Sequence, residues 1–263
     1  MLWGMRPLLC LLFTSMALAQ QGEDARPLLQ QVADTARNAK SWRAEYLVMS
    51  DMEGEGVHVK TEMHFKESSQ GPNLMRREGT LAGSSILITC DGADTWIYLP
   101  ASKQYQKRPG TTAACVPSMN TWGHLLDGLQ SAVIMGGDTI VLEGKPTPCD
   151  LVRAEYVWLP SGTDLPGGTV IVSTGTQTMC VDRSRSLILR NNIEIKGIPN
   201  SFSPNGMRAT ATIVYSSVER DPALAPDLFT FEPPAGSTLA ANLPPALGAL
   251  LGNSPAPLLP GGK

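Results

Sequence analysis

The chain has 263 residues, a formal net charge of −3 and 17% charged residues, against roughly 25% in an average protein. It carries no basic cluster that could neutralise phosphates, which argues against nucleic acid as a partner. Its length fits either one large β domain or one domain with a tail.

The first residues predict a secretory signal peptide. Arg6 precedes an apolar run over residues 8–18, and Ala17-Leu18-Ala19 supplies small residues at a cleavage site, so residues 1–19 are assigned to the leader. The run is too short to span a bilayer. Cys10 lies inside the apolar run and is not expected to be a lipid-attachment site. We therefore expect an exported protein.

Four cysteines remain after the leader: Cys90, Cys115, Cys149 and Cys180. An even number in an oxidising compartment predicts two disulfides, for which three pairings exist. We favour Cys90–Cys115 and Cys149–Cys180, because each joins elements that are neighbours in the predicted order. No Cys-x-x-Cys spacing occurs, so a zinc or redox motif is not indicated.

The first predicted element after the leader is an amphipathic helix over residues 24–40, with apolar residues at three- and four-residue intervals. Strands follow at residues 42–52 and 57–66. In the second strand the apolar residues and Thr61 point one way, and the charged residues and histidines point the other. Its first face consists of Val57, Val59, Thr61, Met63 and Phe65.

Residues 86–100 predict an antiparallel hairpin around the loop Asp91–Asp94. In the expected register Cys90 lies opposite Thr95, Ile88 opposite Ile97 and Ile86 opposite Leu99. The other face carries apolar and aromatic side chains as well, namely Leu87, Thr89, Trp96 and Tyr98. Since a half-exposed hairpin is apolar on one side only, either protein segments or a ligand must cover both faces.

A second helix is predicted over residues 117–134, with an apolar stripe and an end at Gly136-Gly137. Strands at 139–142, 149–159, 169–181, 186–195 and 207–218 then form an antiparallel meander. Residues 237–263 are rich in Pro, Gly, Ala and Leu and predict a disordered tail. The alternative for this tail is a weak apolar contact segment around Leu247–Leu251.

No residue pattern indicates catalysis. His58 and His64 lie roughly 20 Å apart along a strand, and His124 lies on the predicted second helix. The carboxylates of residues 51–55 are typical of a solvated turn, and neither a nucleophile elbow nor a phosphate loop occurs. We expect neither an enzyme nor a bound cofactor or metal.

The predicted sheet has more apolar face than two helices can cover. Either these side chains are ordinary core, or they line an apolar ligand cavity. The candidate cavity residues are Val57, Val59, Met63, Phe65, Ile86, Ile88, Ile97 and Leu99. The candidate residues of the covering helices are Leu28, Leu29, Val32, Trp122 and Leu126.

Several motifs follow one another in an order that resembles a known family. They are Ser-Trp-Arg-Ala-Glu-Tyr at 41–46, Gly-Pro-Asn-Leu-Met-Arg at 71–76, Asp91-Gly92, Trp-Ile-Tyr-Leu-Pro at 96–100, Lys-Gln-Tyr at 103–105 and Asp-Leu-Phe-Thr-Phe-Glu-Pro-Pro-Ala-Gly at 227–236. From residue 26 to 238 the chain resembles the outer-membrane lipoprotein carrier family (LolA/LolB-like), to which the lipid-binding domain of RseB-type regulators is related.

The resemblance implies an α+β, mainly antiparallel fold over residues 20–236: an incomplete barrel with helices covering its concave face and an apolar cavity for acyl chains. In the carriers, an arginine that takes part in ligand handling commonly occupies the turn where this chain has Gly71, with Lys66 and Arg76 nearby.

Three functions follow as expectations. The first is a periplasmic lipid or acyl-chain carrier whose partners are a lipid or acylated lipoprotein and proteins of the inner or outer membrane. The second is an RseB-type sensor of lipid or envelope stress that acts through a protein partner. The third is a structural or interaction module without a ligand.

Overall fold

The structure is a computed structural model that describes residues 22–54, 56–81, 83–110, 115–158, 173–200 and 203–241. The predicted signal peptide and residues 159–172 and 242–263 lie outside the described residues. The elements, in chain order, are β1 Glu23–Asp24, α1 Arg26–Asn38, β2 Ser41–Gly54, β3 Val57–Gln70, β4 Leu74–Leu81, β5 Ser84–Asp91, β6 Asp94–Leu99, β7 Gln104–Pro109, the 3-10 helix η1 Ser118–His124, β8 Leu129–Leu142, β9 Lys145–Trp158, β10 Ser173–Asp182, β11 Leu187–Asn200, β12 Ser203–Arg220, the 3-10 helix η2 Pro226–Phe229 and β13 Thr238–Leu239.

One sheet contains every strand of the described residues, in the order β1-β8-β9-β10-β11-β12-β2-β3-β4-β5-β6-β7-β13. Neighbouring strands are antiparallel except β7 and β13, which are parallel. Strands β8 to β12 form one meander and strands β2 to β7 form another. Pairing between β12 and β2 joins the two meanders into one sheet. The outer strands β1 and β13 are not neighbours, so the sheet stays open. The predicted fold class, an α+β incomplete antiparallel barrel, is confirmed.

Helix α1 packs on one face of this sheet, which we call the inner face. Pro27 lies in its first turn, where the missing N–H costs nothing. Its buried side, which includes Leu28, Leu29 and Val32, belongs to the same core as Trp42 of β2 and Tyr215 of β12. The helix therefore contributes to the cover of the inner face, as expected.

The η1 segment (residues 115–125) lies beside α1 on the inner face. The Trp122 ring meets the Trp42 ring edge-on at 6.0 Å between centroids and the Tyr215 ring at 5.5 Å. Edge-to-face pairs of this kind add stability beyond the area that they bury.

The predicted central hairpin is confirmed in register: Cys90 lies opposite Thr95 and Ile88 opposite Ile97. Protein segments contact both of its faces. On the inner face Ile88 and Ile97 pack in one cluster with Cys115. On the other face the Phe231 ring lies 5.3 Å from the Trp96 ring and 5.9 Å from the Tyr98 ring. The segment that follows η2 thus contributes to the cover of the outer face.

The predicted helix over residues 117–134 is wrong beyond His124. Only Ser118–His124 is helical, as a 3-10 helix, and strand β8 begins at Leu129. A register shift between Leu129 and Ser131 turns both Leu129 and Ala132 towards the core. This β-bulge places buried residues three apart, a spacing that imitates a helix in the sequence. Gly136, predicted to end the helix, instead lies at a second register shift.

Both predicted disulfides are confirmed. Cys90 and Cys115 have Cα atoms 5.9 Å apart, and those of Cys149 and Cys180 are 5.4 Å apart. The described fold also extends past the predicted boundary at 236, because Thr238 and Leu239 pair in parallel with Gln104 and Tyr105.

Candidate ligand-binding face

Strand register arranges the inner face in rows, because directly opposed residues of antiparallel strands point to the same side. Three rows cross β12, β2 and β3 away from α1. They are Ile213–Val48–Met63, Ala211–Ser50–Thr61 and Ala209–Met52–Val59. The middle row is polar on two strands, where the hydroxyls of Ser50 and Thr61 are 2.6 Å apart. The two rows that flank it are apolar.

The inner face has a closed end and a more open end. At the closed end Trp42, Ala44 and Tyr46 are buried in the core that includes α1 and η1. Toward the other end several apolar side chains remain partly accessible, and Val59 is 41% exposed, whereas Ala209 and Met207 of β12 are buried. We call this surface the open strip; it consists of Val48, Met52, Val59, Met63, Ala211 and Ile213.

The structure divides the eight predicted cavity residues into two groups. Val59 and Met63 lie on the open strip, and half-buried Phe65 lies between the strip and the core. Val57 belongs to the same face of β3, and its side chain lies outside the described residues. Four others are buried in a second cluster with Met75, Cys90 and Cys115; they are Ile86, Ile88, Ile97 and Leu99.

The residues predicted to cover the sheet lie on its inner face, but one of them is not on a helix. Leu28, Leu29 and Val32 of α1 and Trp122 of η1 are buried. Leu126 is half-buried and lies in the turn after η1 rather than in a helix. Val48, Met52, Ala211 and Ile213 of the open strip were not among the candidates.

A buried carboxylate lies between the two clusters. The side chain of Glu67 is only 2% exposed, accepts four hydrogen bonds and forms an ion pair with Arg77. Oε2 accepts from the Tyr46 hydroxyl at 2.8 Å and from Nε of Arg77 at 2.8 Å, and it lies 2.7 Å from Arg77 Nη2. Oε1 accepts from the backbone N–H and the hydroxyl of Ser118 at 2.8 and 3.0 Å. We call these four residues the Glu67 network.

The Glu67 network attaches the η1 segment to the sheet. Arg77 also donates from Nη2 to the carbonyl of Val116 at 3.1 Å, and its guanidinium lies 5.7 Å from the centre of the Phe65 ring. Burial raises the pKa of the Tyr46 phenol well above its usual value, so the hydroxyl keeps its proton and donates. The charge of Glu67 is thus compensated by one cation and neutral donors.

Sequence analysis missed Arg77 and Glu67. It pointed instead to Lys66 and Arg76, whose side chains lie on the outer face of the sheet. There Lys66 pairs with Glu45 at 3.0 Å, and Arg76 pairs with Glu78 at 2.6 Å. The sequence contains a signal for Glu67, because the alternation that turns Met63 and Phe65 towards the inner face continues to residue 67. An acid on an otherwise apolar strand face indicates a buried ion pair.

Other cavities lie elsewhere on the described surface. A groove of about 680 Å³ is lined by Leu47, His64, Thr80, Val141 and Val214, among others. A polar pocket of about 530 Å³ lies beside Cys149 and contains Asp138, Asp150 and Asp182. Each of these three aspartates pairs with an arginine. Within the described ranges no group of three or more His, Cys, Asp or Glu side chains could hold a metal ion.

None of the described helices combines the length and the hydrophobicity that a membrane-spanning helix requires. No protein-family model matches the chain, and no curated protein is similar to it in sequence.

Solved structures do match the chain at low sequence identity. For LprF from Mycobacterium bovis the TM-score is 0.44 and the identity 10%, over 78% of this chain and 97% of LprF. For a chain of the MucA/MucB complex from Pseudomonas aeruginosa the values are 0.39 and 13%, over 83% of this chain and 66% of the other. For a LolA superfamily protein from Nitrosomonas europaea they are 0.31 and 11%, over 80% and 98%.

Proposed function

We propose that this protein binds the acyl chain of a lipid or an acylated lipoprotein along the open strip, as an exported carrier in the periplasm. The supporting observation is the position of the strip. It consists of partly accessible apolar side chains on three adjacent strands, and it continues directly into the core beneath α1. Surface of this kind on one face of a sheet is characteristic of a binding site.

The free energy of binding would come from burial of the acyl chain, at about 0.8 kcal/mol for each methylene removed from water. A ligand that lies across β12, β2 and β3 would contact Ile213, Val48 and Met63 in turn. No bond needs to form or break, so we assign a binding function and no enzymatic one. The donor and acceptor of the cargo would be proteins of the inner and outer membranes.

The experiment uses two matched variants. Val59 and Met49 are each 41% exposed and lie on adjacent strands, but they occupy opposite faces of the sheet. A new charge at either position therefore has a similar effect on folding. We expect Val59→Asp to weaken binding of a fluorescent fatty acid at least tenfold and Met49→Asp to leave it unchanged.

Two results would refute the proposal. One is a wild-type protein that binds no fluorescent fatty acid and yields no lipid on extraction with organic solvent. The other is equal affinity in Val59→Asp and Met49→Asp, since acyl binding on the open strip must distinguish the two faces. Mass spectrometry of the extract would identify the cargo.

A further inference from the structure

The inner face carries one buried amide pair. Asn191 of β11 and Gln177 of β10 are 6% and 2% exposed, and Asn191 Nδ2 donates to Gln177 Oε1 at 2.9 Å. Both point inward, since Asn191 lies opposite Ile213 and Gln177 lies opposite Ile193, which belong to the main core or pack against it. Amide groups in such surroundings are costly unless all their polar atoms are paired.

One acceptor of this pair is unpaired. Asn191 Oδ1 is buried, and no donor from the described chain reaches it. Its neighbours in the sheet are apolar: Met179 lies directly opposite on β10, and Ile213 lies opposite on β12. Core packing alone would favour a leucine here, because an apolar residue of that size has no polar atom to satisfy.

This acceptor lies at the end of an open-strip row. The row that contains Ile213, Val48 and Met63 continues through Ile213 to Asn191 on the next strand. Neighbouring strands are about 4.8 Å apart. A ligand whose chain follows this row therefore ends one strand spacing from Asn191.

We infer that the bound ligand carries a hydrogen-bond donor next to its acyl chain, a hydroxyl or an amide N–H, and that Asn191 Oδ1 accepts this hydrogen bond. The inference rests on the proposed acyl-binding function and adds the chemistry of the polar end. A carboxylate offers no donor and would repel the amide oxygen. Acylglycerols supply the hydroxyl, and N-acylated amino groups supply the amide N–H.

The test compares four probes with the same fourteen-carbon chain, each displacing the methyl ester of a fluorescent fatty acid, a tracer that carries no charge. Tetradecan-1-ol and N-methyltetradecanamide carry a donor; 1-methoxytetradecane and methyl tetradecanoate do not. We expect the two donor-bearing probes to bind wild-type protein about five- to tenfold more tightly, as one buried hydrogen bond allows. A larger gain for the alcohol would indicate an acylglycerol, and a larger gain for the amide an N-acylated amine.

Two variants test whether the preference for donor-bearing probes depends on the amide pair. Gln177→Met with Asn191→Leu removes both partners together, so no unpaired group remains, and we expect the donor preference to disappear while the methyl ether still binds. Thr89→Val is the control. The Thr89 hydroxyl is also buried and unpaired, but it lies on the outer face opposite Trp96, so the preference should persist.

The outcomes separate the two proposals. If none of the four probes binds, the acyl-binding function itself is wrong. If all four bind wild-type protein equally, acyl binding stands and the assignment of Asn191 is overturned. The comparison on wild-type protein requires no variant and is decisive even if the double variant fails to fold. A preference that survives in a folded double variant would also overturn the assignment.

Discussion

Arg77 and Glu67 form a buried ion pair on the inner face, with Nη2 of the guanidinium 2.7 Å from Oε2 of the carboxylate. The two residues are directly opposed on β4 and β3. They connect the core under α1 with the cluster around Cys115, because the same carboxylate accepts from Ser118 and the same guanidinium donates to Val116. Breaking this pair should loosen the η1 segment.

We expect Glu67→Gln to lower the free energy of unfolding by about 3 kcal/mol, since it leaves the buried guanidinium of Arg77 without its counter-charge. Urea denaturation measures the change. Lys66→Met is the matched control on the neighbouring position of β3, where the pair with Glu45 is exposed and should contribute less than about 1 kcal/mol. Similar losses in the two variants would show that burial does not set the strength of the Glu67 pair.

Gly79 allows β3 and β4 to approach closely beside Phe65. A Cβ at this position would lie 1.9 Å from the carbonyl oxygen of His64 and 2.6 Å from Phe65 Cδ1. We expect Gly79→Ala to destabilise the protein by at least about 2 kcal/mol, because the backbone of β3 must move. Thermal and urea unfolding provide the measurement.

Gly137→Ala is the control for this steric effect. Its Cβ would meet nothing closer than the carbonyl oxygen of Cys149 at 3.8 Å, so a change below about 0.5 kcal/mol is expected, as at most surface positions. A large loss at Gly137, or none at Gly79, would contradict the close approach of β3 and β4.

Phe231 is buried against aromatic side chains of the outer face. Its ring centroid lies 5.3 Å from that of Trp96 and 5.9 Å from those of Tyr98 and Tyr105. We expect Phe231→Ala to cost about 3 kcal/mol of stability and to increase solvent quenching of Trp96 fluorescence. Thr230→Ala, at an exposed neighbouring position, should change neither quantity. Unaltered quenching in Phe231→Ala would mean that this segment does not cover the hairpin.

Asp91 makes the hairpin turn sensitive to pH. Its carboxylate accepts from the backbone N–H groups of Ala93 and Asp94 and from the indole N–H of Trp96. Burial alone would raise the pKa of Asp91, but these three hydrogen bonds outweigh it and hold the pKa below its usual value. The stabilisation from Asp91 is therefore present above the unfolded-state pKa, near 3.9, and is lost as the pH falls through the lower folded-state pKa.

Asp91→Asn should accordingly be less stable than wild-type protein at pH 7, and the difference should shrink below about pH 4 as the wild-type carboxyl takes up its proton. Urea denaturation at intervals from pH 7 to pH 2 measures this convergence. A difference that stays constant over the whole range would show that the charged form of Asp91 is not the one that the turn stabilises.

The local features of the fold can be predicted from the amino-acid sequence alone. The alternation from Val57 to Phe65 fixed which side chains of β3 face inward, and the loop between Cys90 and Thr95 fixed the register of the central hairpin. The order of the strands sufficed to select the two disulfides. These features depend on residues close together in sequence or on elements that are neighbours along the chain, so a period of two and a short turn specify them.

The segments that cover each face of the sheet cannot be predicted from the pattern of residues along the chain. Alternation assigns Ile88 and Met63 to the same side of the sheet, but it does not indicate that Cys115 packs near Ile88 while Met63 remains half-exposed. The opposition of Glu67 and Arg77 and the place of Asn191 beside Ile213 likewise depend on the register between strands. Such contacts join residues that are distant or unpatterned in sequence, because packing depends on the positions in which whole elements dock.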